Sequence, residues 1–143
     1  MQGQDSGIRA GAHIDGALLE GFLASLREKV RVASVVVFGS RARGEALEES
    51  DYDLLVISPD FGALSIPDRA VLLLEAWPGR VALEPVALTP EEFARAEGAL
   101  MWDILHEGTA VVDDGTFDAR RRLFRLRLEK GELRKGEGYW SFS

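Results

Sequence analysis

The sequence predicts a small α/β (α+β) domain, a mixed sheet of about three strands flanked by helices. Three observations lead there. Two β-branched apolar runs, "VASVVVF" at 32–38 and "YDLLVIS" at 52–58, are nearly continuous, as strands covered on both faces are. A third run, "VALEPVAL" at 81–88, lies between stretches of helical pattern. The chain has 143 residues, 46% of them apolar, which is enough for one hydrophobic core and little more.

The elements follow in order. Residues 1–12 are glycine-rich and polar and are expected to form a loose tail. Ile14, Leu18, Leu19, Phe22, Leu23, Leu26 and Val30 fall at helical spacing and predict an amphipathic helix over 13–30. The first strand ends at Gly39, and a short helix, "SRARG", is expected to follow it. The second strand stops at Pro59. It is too close to the first for a crossover helix, so the pair is expected to be antiparallel. Ser65, Ile66, Pro67 and Asp68 form a cap-like helix start, and "PG" closes that helix after Ala76. After the third strand, Thr89, Pro90, Glu91 and Glu92 start a helix expected to run to Glu107 and stop at Gly108. A last helix is expected over 117–130, with Gly131 past its end and a tail beyond. The domain is thus drawn at 13–131 with its core at 32–108, between tails at 1–12 and 132–143.

Composition excludes several chemistries. With no cysteine there is no disulfide and no thiolate metal site. Two histidines, His13 and His106, are too few for a histidine-based site. A metal here would be held by oxygen, which points to a hard ion such as Mg²⁺ or Mn²⁺. No apolar stretch reaches membrane-spanning length, and "MQGQDSGIRAG" lacks an apolar signal core, so the expectation is a cytoplasmic protein with no membrane partner. The net charge of −7 is uneven: from Phe117 onward eight Lys/Arg face four Asp/Glu. The acidic body argues against nucleic acid as partner. The arginine-rich "RRRLFRLRL" reads as a helix whose arginine stems cover its flanks. His106 reads as a cap or packing residue, Trp77 and Trp102 as core, and an oligomer stays open.

One stretch carries the chemistry: "FGSRARGEALEESDYDLLVIS", 38–58. Residues two apart on a strand point the same way, so Asp51 and Asp53 share one face and Tyr52 faces away into packing. Two carboxylates this close repel unless a cation sits between them. Gly39 and Ser40 stand at the strand end, where a glycine lets the backbone approach a phosphate and the hydroxyl adds a donor. Arg41 and Arg43 are placed to reach phosphate oxygens.

The stretch resembles the signature of the DNA polymerase β-like nucleotidyltransferases: Gly39-Ser40, ten residues, then Asp51-Tyr52-Asp53. Ala42, Arg43, Gly44 and Ser50 match the finer pattern of the minimal nucleotidyltransferase branch. The resemblance spans 32–93 and implies a nucleotidyltransferase fold. It also implies two Mg²⁺ or Mn²⁺ ions on Asp51, Asp53 and a third carboxylate, with ATP as substrate and Gly39, Ser40 and Arg43 holding the nucleotide. Glu84 is the one acidic residue inside the third strand and looks like the third catalytic and metal-binding carboxylate, although the family position is more often Asp. Pro85 beside it marks an edge or a bulge. Small members of this branch often act as antitoxins, transferring AMP to a helical HEPN toxin protein, and that is the leading expectation. Two others stand beside it: an antitoxin that neutralises by contact alone, and an enzyme modifying a small molecule such as an aminoglycoside.

Overall fold

The computed structural model describes residues 14–47 and 49–142. The tail expected over 1–12, together with His13, lies outside them. The elements are α1 (Gly16–Arg27), β1 (Ser34–Phe38), α2 (Ser40–Arg43), β2 (Tyr52–Ile57), a 3₁₀ turn (Pro59–Ala63), α3 (Ile66–Ala76), β3 (Leu83–Leu88), α4 (Pro90–Arg95), α5 (Ala99–Glu107), β4 (Thr109–Asp113), α6 (Thr116–Glu129), β5 (Leu133–Lys135) and β6 (Trp140–Phe142).

The first four strands form one sheet in the order β3-β2-β1-β4. As expected, β1 and β2 are antiparallel; β2 and β3 are parallel, which makes the sheet mixed. β1 is buried along its whole length because helices cover both faces. Side-chain alternation sorts the core into two layers. Val35, Val37, Tyr52, Leu54 and Val56 pack with Phe22, Leu26 and Leu73 of α1 and α3. Val36, Phe38, Leu55 and Ile57 pack with Phe93, Ile104, Phe117 and Phe124 of α4, α5 and α6.

Several elements depart from the expectation. The first helix is shorter than 13–30, and Ile14 and Val30 flank it as buried caps of the core. The helix expected to run unbroken to Glu107 is two helices, parted at Gly98, whose φ of +105° no helix tolerates. β4 is a strand that the sequence reading left unassigned; it pairs antiparallel with β1 through an irregular register. Residues expected as a tail form the β5–β6 hairpin. Asp103 of α5 ties it down by accepting from Trp140 Nε1 at 2.8 Å and Lys135 Nζ at 3.0 Å. Two arginines of the run turn inward, while Arg122 stays exposed and pairs with Asp118. Arg120 donates to the Phe93 and Ala96 carbonyls at the end of α4, and Arg121 to those of Leu105 and Gly108 at the end of α5.

β3 is an outer strand, and its free edge is blunted. Pro85 has no N–H, and the Ala87 carbonyl accepts from Arg69 Nη1 at 3.1 Å. Arg69 also donates to the Leu64 carbonyl and forks onto Glu92 at 2.6 and 3.1 Å. Glu92 in turn closes the capping box with Thr89, as the sequence predicts. The Arg69 bonds, with help from the Thr89 backbone, pull the Glu92 carboxyl down to about 2 from its ordinary 4.5. A carboxyl depressed on folding stabilises above its ordinary value, and that contribution is lost as pH falls through the folded one. Arg69→Met is expected to cost about 2–3 kcal/mol at pH 7. The value is below that of a fully buried pair because the Glu92 side chain stays 35% exposed. In urea melts the gap between parent and variant should narrow from pH 5 to pH 2.5; an unchanged gap would show that the pair contributes nothing through its charge.

Candidate active site

The site stands where β1 ends and β2 and β3 begin. Gly39 turns the chain at φ +74°, ψ −152°. Its carbonyl accepts from Ala42 and Arg43 N–H, which winds α2, and Gly44 in the left-handed region ends that helix. The loop back to β2 is fixed from within. Arg41 is buried, lies over the Tyr52 ring at 3.9 Å and donates to the Ser50 carbonyl through Nε and Nη2. Ser50 Oγ accepts from Leu47 N–H at 2.9 Å. Arg41 is therefore part of the scaffold under Asp51; it is not turned to the site as the sequence reading has it.

Register brings the carboxylates together. Phe38 stands opposite Asp53 across β1–β2, and Asp53 opposite Glu84 across the parallel β2–β3 pair. Tyr52, between the two aspartates, is buried on the other face and accepts from the Asp15 N–H through its hydroxyl at 2.8 Å. Asp51 and Glu84 are exposed and Asp53 half-buried. Gly39 is pressed onto Asp53: a Cβ there would lie 2.2 Å from Asp53 Oδ2.

The electrostatics follow from this crowding. Burial, then repulsion from Asp51, pushes the Asp53 carboxyl up, while the Arg43 guanidinium opposes the shift. Glu84 is pushed up by its hydrogen bond with Asp51 first, then by repulsion from Asp53. Arg43 is itself held by two carboxylates, Nε to Glu45 at 2.8 Å and Nη1 to Glu107 at 3.0 Å. The Ser40 hydroxyl has no hydrogen-bond partner among the described residues. His106 is elsewhere, edge-on to Phe124 and Trp140.

Among the described residues, no three His, Cys, Asp or Glu side chains already stand in coordinating geometry. The donor set nonetheless fits a hard divalent ion. It consists of carboxylate oxygens only, and the crowding that raises Asp53 and Glu84 is the kind a bound cation relieves.

A mixed sheet thus ends in crowded carboxylates beside a glycine turn and a paired arginine. The nucleotidyltransferase domain family model matches residues 19–107, and the chain belongs to that family. The fold recurs in solved structures. One, described as a toxin–antitoxin with AMP-PNP, is 19% identical over 78% of this chain and 89% of that one, with a TM-score of 0.54. Another, the toxin–antitoxin MntA–HepT, is 17% identical over 81% and 91%, with a TM-score of 0.53. No curated protein matches the sequence.

The structure brings Gly39, Ser40, Asp51, Asp53 and Glu84 together at one end of the sheet. Glu45 and Glu107 belong to the same neighbourhood and were not anticipated. Glu45 is one of several acidic residues between Gly44 and Asp51, and nothing in the sequence singles it out. Glu107 is 64 residues from its partner Arg43, and no local pattern joins them.

Proposed function

We propose that this chain transfers a nucleoside monophosphate, AMP from ATP, to a hydroxyl on a partner protein of the helical HEPN type, and that it acts as that protein's antitoxin. The observation that carries the chemistry is the register that aligns Asp53 with Glu84 beside Asp51, with Gly39 closed onto Asp53. Asp51 and Asp53 would hold Mg²⁺ or Mn²⁺, with Glu84 completing a second position. Ions bound there neutralise phosphate charge and make the acceptor hydroxyl easier to deprotonate.

The remaining steps belong to the chain's own groups. Gly39 leaves room for the phosphates to approach, and the free Ser40 hydroxyl donates to them. Glu84, whose carboxyl is pushed up, is suited to take the acceptor's proton. The acceptor oxygen bonds the α-phosphorus, the bond to the bridging oxygen breaks, and pyrophosphate leaves with its charge held by Ser40 and Arg43.

Two observations support a protein acceptor: the fold shared with toxin–antitoxin structures and the acidic body of the chain. Among the described residues no helix is long and apolar enough to cross a membrane. A contact-only antitoxin is the second reading. It is favoured by the exposed position of Glu84 next to Pro85 on an outer strand.

The test is label transfer from α-³²P-ATP with Mg²⁺ to a co-expressed helical partner protein encoded beside this chain. The expected result is a labelled partner band whose mass gain matches AMP. Stable complex formation with no label on either protein would discard the transfer reading and leave the contact reading.

A further inference from the structure

Glu107 is not a loose surface carboxylate. Met101, Ile104 and Leu105 bury α5 in the core, and Glu107 is its last residue. The helix end is fixed on two sides. Gly108 packs so closely that an added Cβ would lie 2.5 Å from the Ile104 carbonyl oxygen and 2.7 Å from Val36 Cγ1. Arg121 of α6 donates to the carbonyls of Leu105 and Gly108, which bracket Glu107. The Glu107 side chain is only 22% exposed, against 65% for Glu45, the other partner of Arg43. Glu45 is two residues from Arg43 in an exposed loop, and such a pair contributes little. Glu107 joins Arg43 to the rigid helical layer.

The direction of this tie matters. Arg43 is the cation whose charge acts on Asp53, in a cluster that otherwise holds Asp51 and Glu84. A guanidinium without that tie would be drawn toward Asp53, on which its charge already acts. That would spend its charge on the side chain meant for an ion. Glu107 takes Nη1 and Glu45 takes Nε, leaving Nη2 without a hydrogen-bond partner among the described residues.

We propose that Glu107 is a positioning residue for nucleotide binding: it holds Arg43 off Asp53 and aims the free Nη2 at the terminal phosphates of the nucleotide. The proposal rests on the nucleotide-transfer reading of the site and deepens it. It also connects α6 to the site, through the Arg121 clamp on the end of α5.

The experiment is isothermal titration of ATP and of AMP, with Mg²⁺, into the full chain and into Glu107→Gln, Arg43→Ala and the double variant. Loss of orientation at one charge-assisted contact should weaken ATP about 5- to 10-fold in Glu107→Gln. AMP, lacking the terminal phosphates, should change less than about twofold by the same argument. In the Arg43→Ala background Glu107→Gln should add no further loss, because its only route is through Arg43. Should Glu107→Gln fail to fold, Glu107→Asp retains the charge on a shorter stem and should lose ATP affinity while melting like the parent. Unchanged or tighter ATP binding in Glu107→Gln overturns the proposal, as does an equal loss with Arg43 already removed. A parent chain that binds neither nucleotide overturns the underlying reading and the proposal together. A parent that binds ATP beside an unaffected variant overturns the positioning role alone.

Discussion

Asp53→Asn should abolish nucleotidyl transfer, with a fall of about 10³-fold or more, and yet give a protein that melts at a higher temperature than the parent in metal-free buffer. The two effects have one cause. Asp53 is half-buried beside Asp51 and opposite Glu84, and its carboxyl is pushed up by burial and by repulsion from Asp51. A neutral isostere removes that repulsion, so the folded state gains. The same change removes a charged oxygen from the set that would hold an ion, and losing such a ligand forfeits several kcal/mol of transition-state stabilisation. Mg²⁺ separates the variants a second time. A ligand that binds only the folded state raises its melting temperature, so Mg²⁺ should stabilise the parent and leave Asp53→Asn unmoved. Transfer within tenfold of the parent, or equal stabilisation of both by Mg²⁺, would remove Asp53 from the metal set.

Gly39→Ala should disable transfer with a single added methyl group. The residue sits at φ +74°, ψ −152°, a region essentially confined to glycine, where an L side chain costs about 1–3 kcal/mol. Its Cβ would lie 2.2 Å from Asp53 Oδ2 and 3.1 Å from Asp53 Cγ, so the carboxylate must move. A displacement of an ångström in a reacting group costs on the order of 100-fold in rate. Gly138→Ala is the matched control. Its φ is +75°, but nothing lies within 4 Å of the added Cβ. Both variants should lose melting temperature through backbone strain, and Gly39→Ala alone should lose transfer. Similar activity in the two would mean that the close approach of Gly39 to Asp53 has no functional consequence.

The sequence made the centre of the site legible because its parts are local. Gly39, Ser40, Asp51 and Asp53 lie within fifteen residues, and the two-residue period of β2 decides which side chains face outward together. Glu84 could be placed because a parallel neighbour strand has a single acidic position. What escaped reading depends on distant contacts. Arg41 and Arg43 look equivalent in sequence, and contacts with the Tyr52 ring and the Ser50 carbonyl hold Arg41 away. β4 is five residues between a helix end and an Asp-Asp-Gly turn, too short for its period to register. The β5–β6 hairpin has three-residue strands held by Asp103 and an aromatic cluster around Trp140, and no local pattern shows either. The break at Gly98 was read through because apolar spacing continues across it.

β2 carries Tyr52 inward on one face and Asp53 to the rim on the other. A slip of one residue against its neighbours would exchange the two faces of the strand. It would drive carboxylates into the apolar layer beneath α1 and α3 and leave the Tyr52 ring where the carboxylates now stand. Such a product could not stay folded. The chain therefore has little access to a well-formed but inert misregistered state. The alternation that closes the core also aligns the carboxylates, so a chain that folds has both in place.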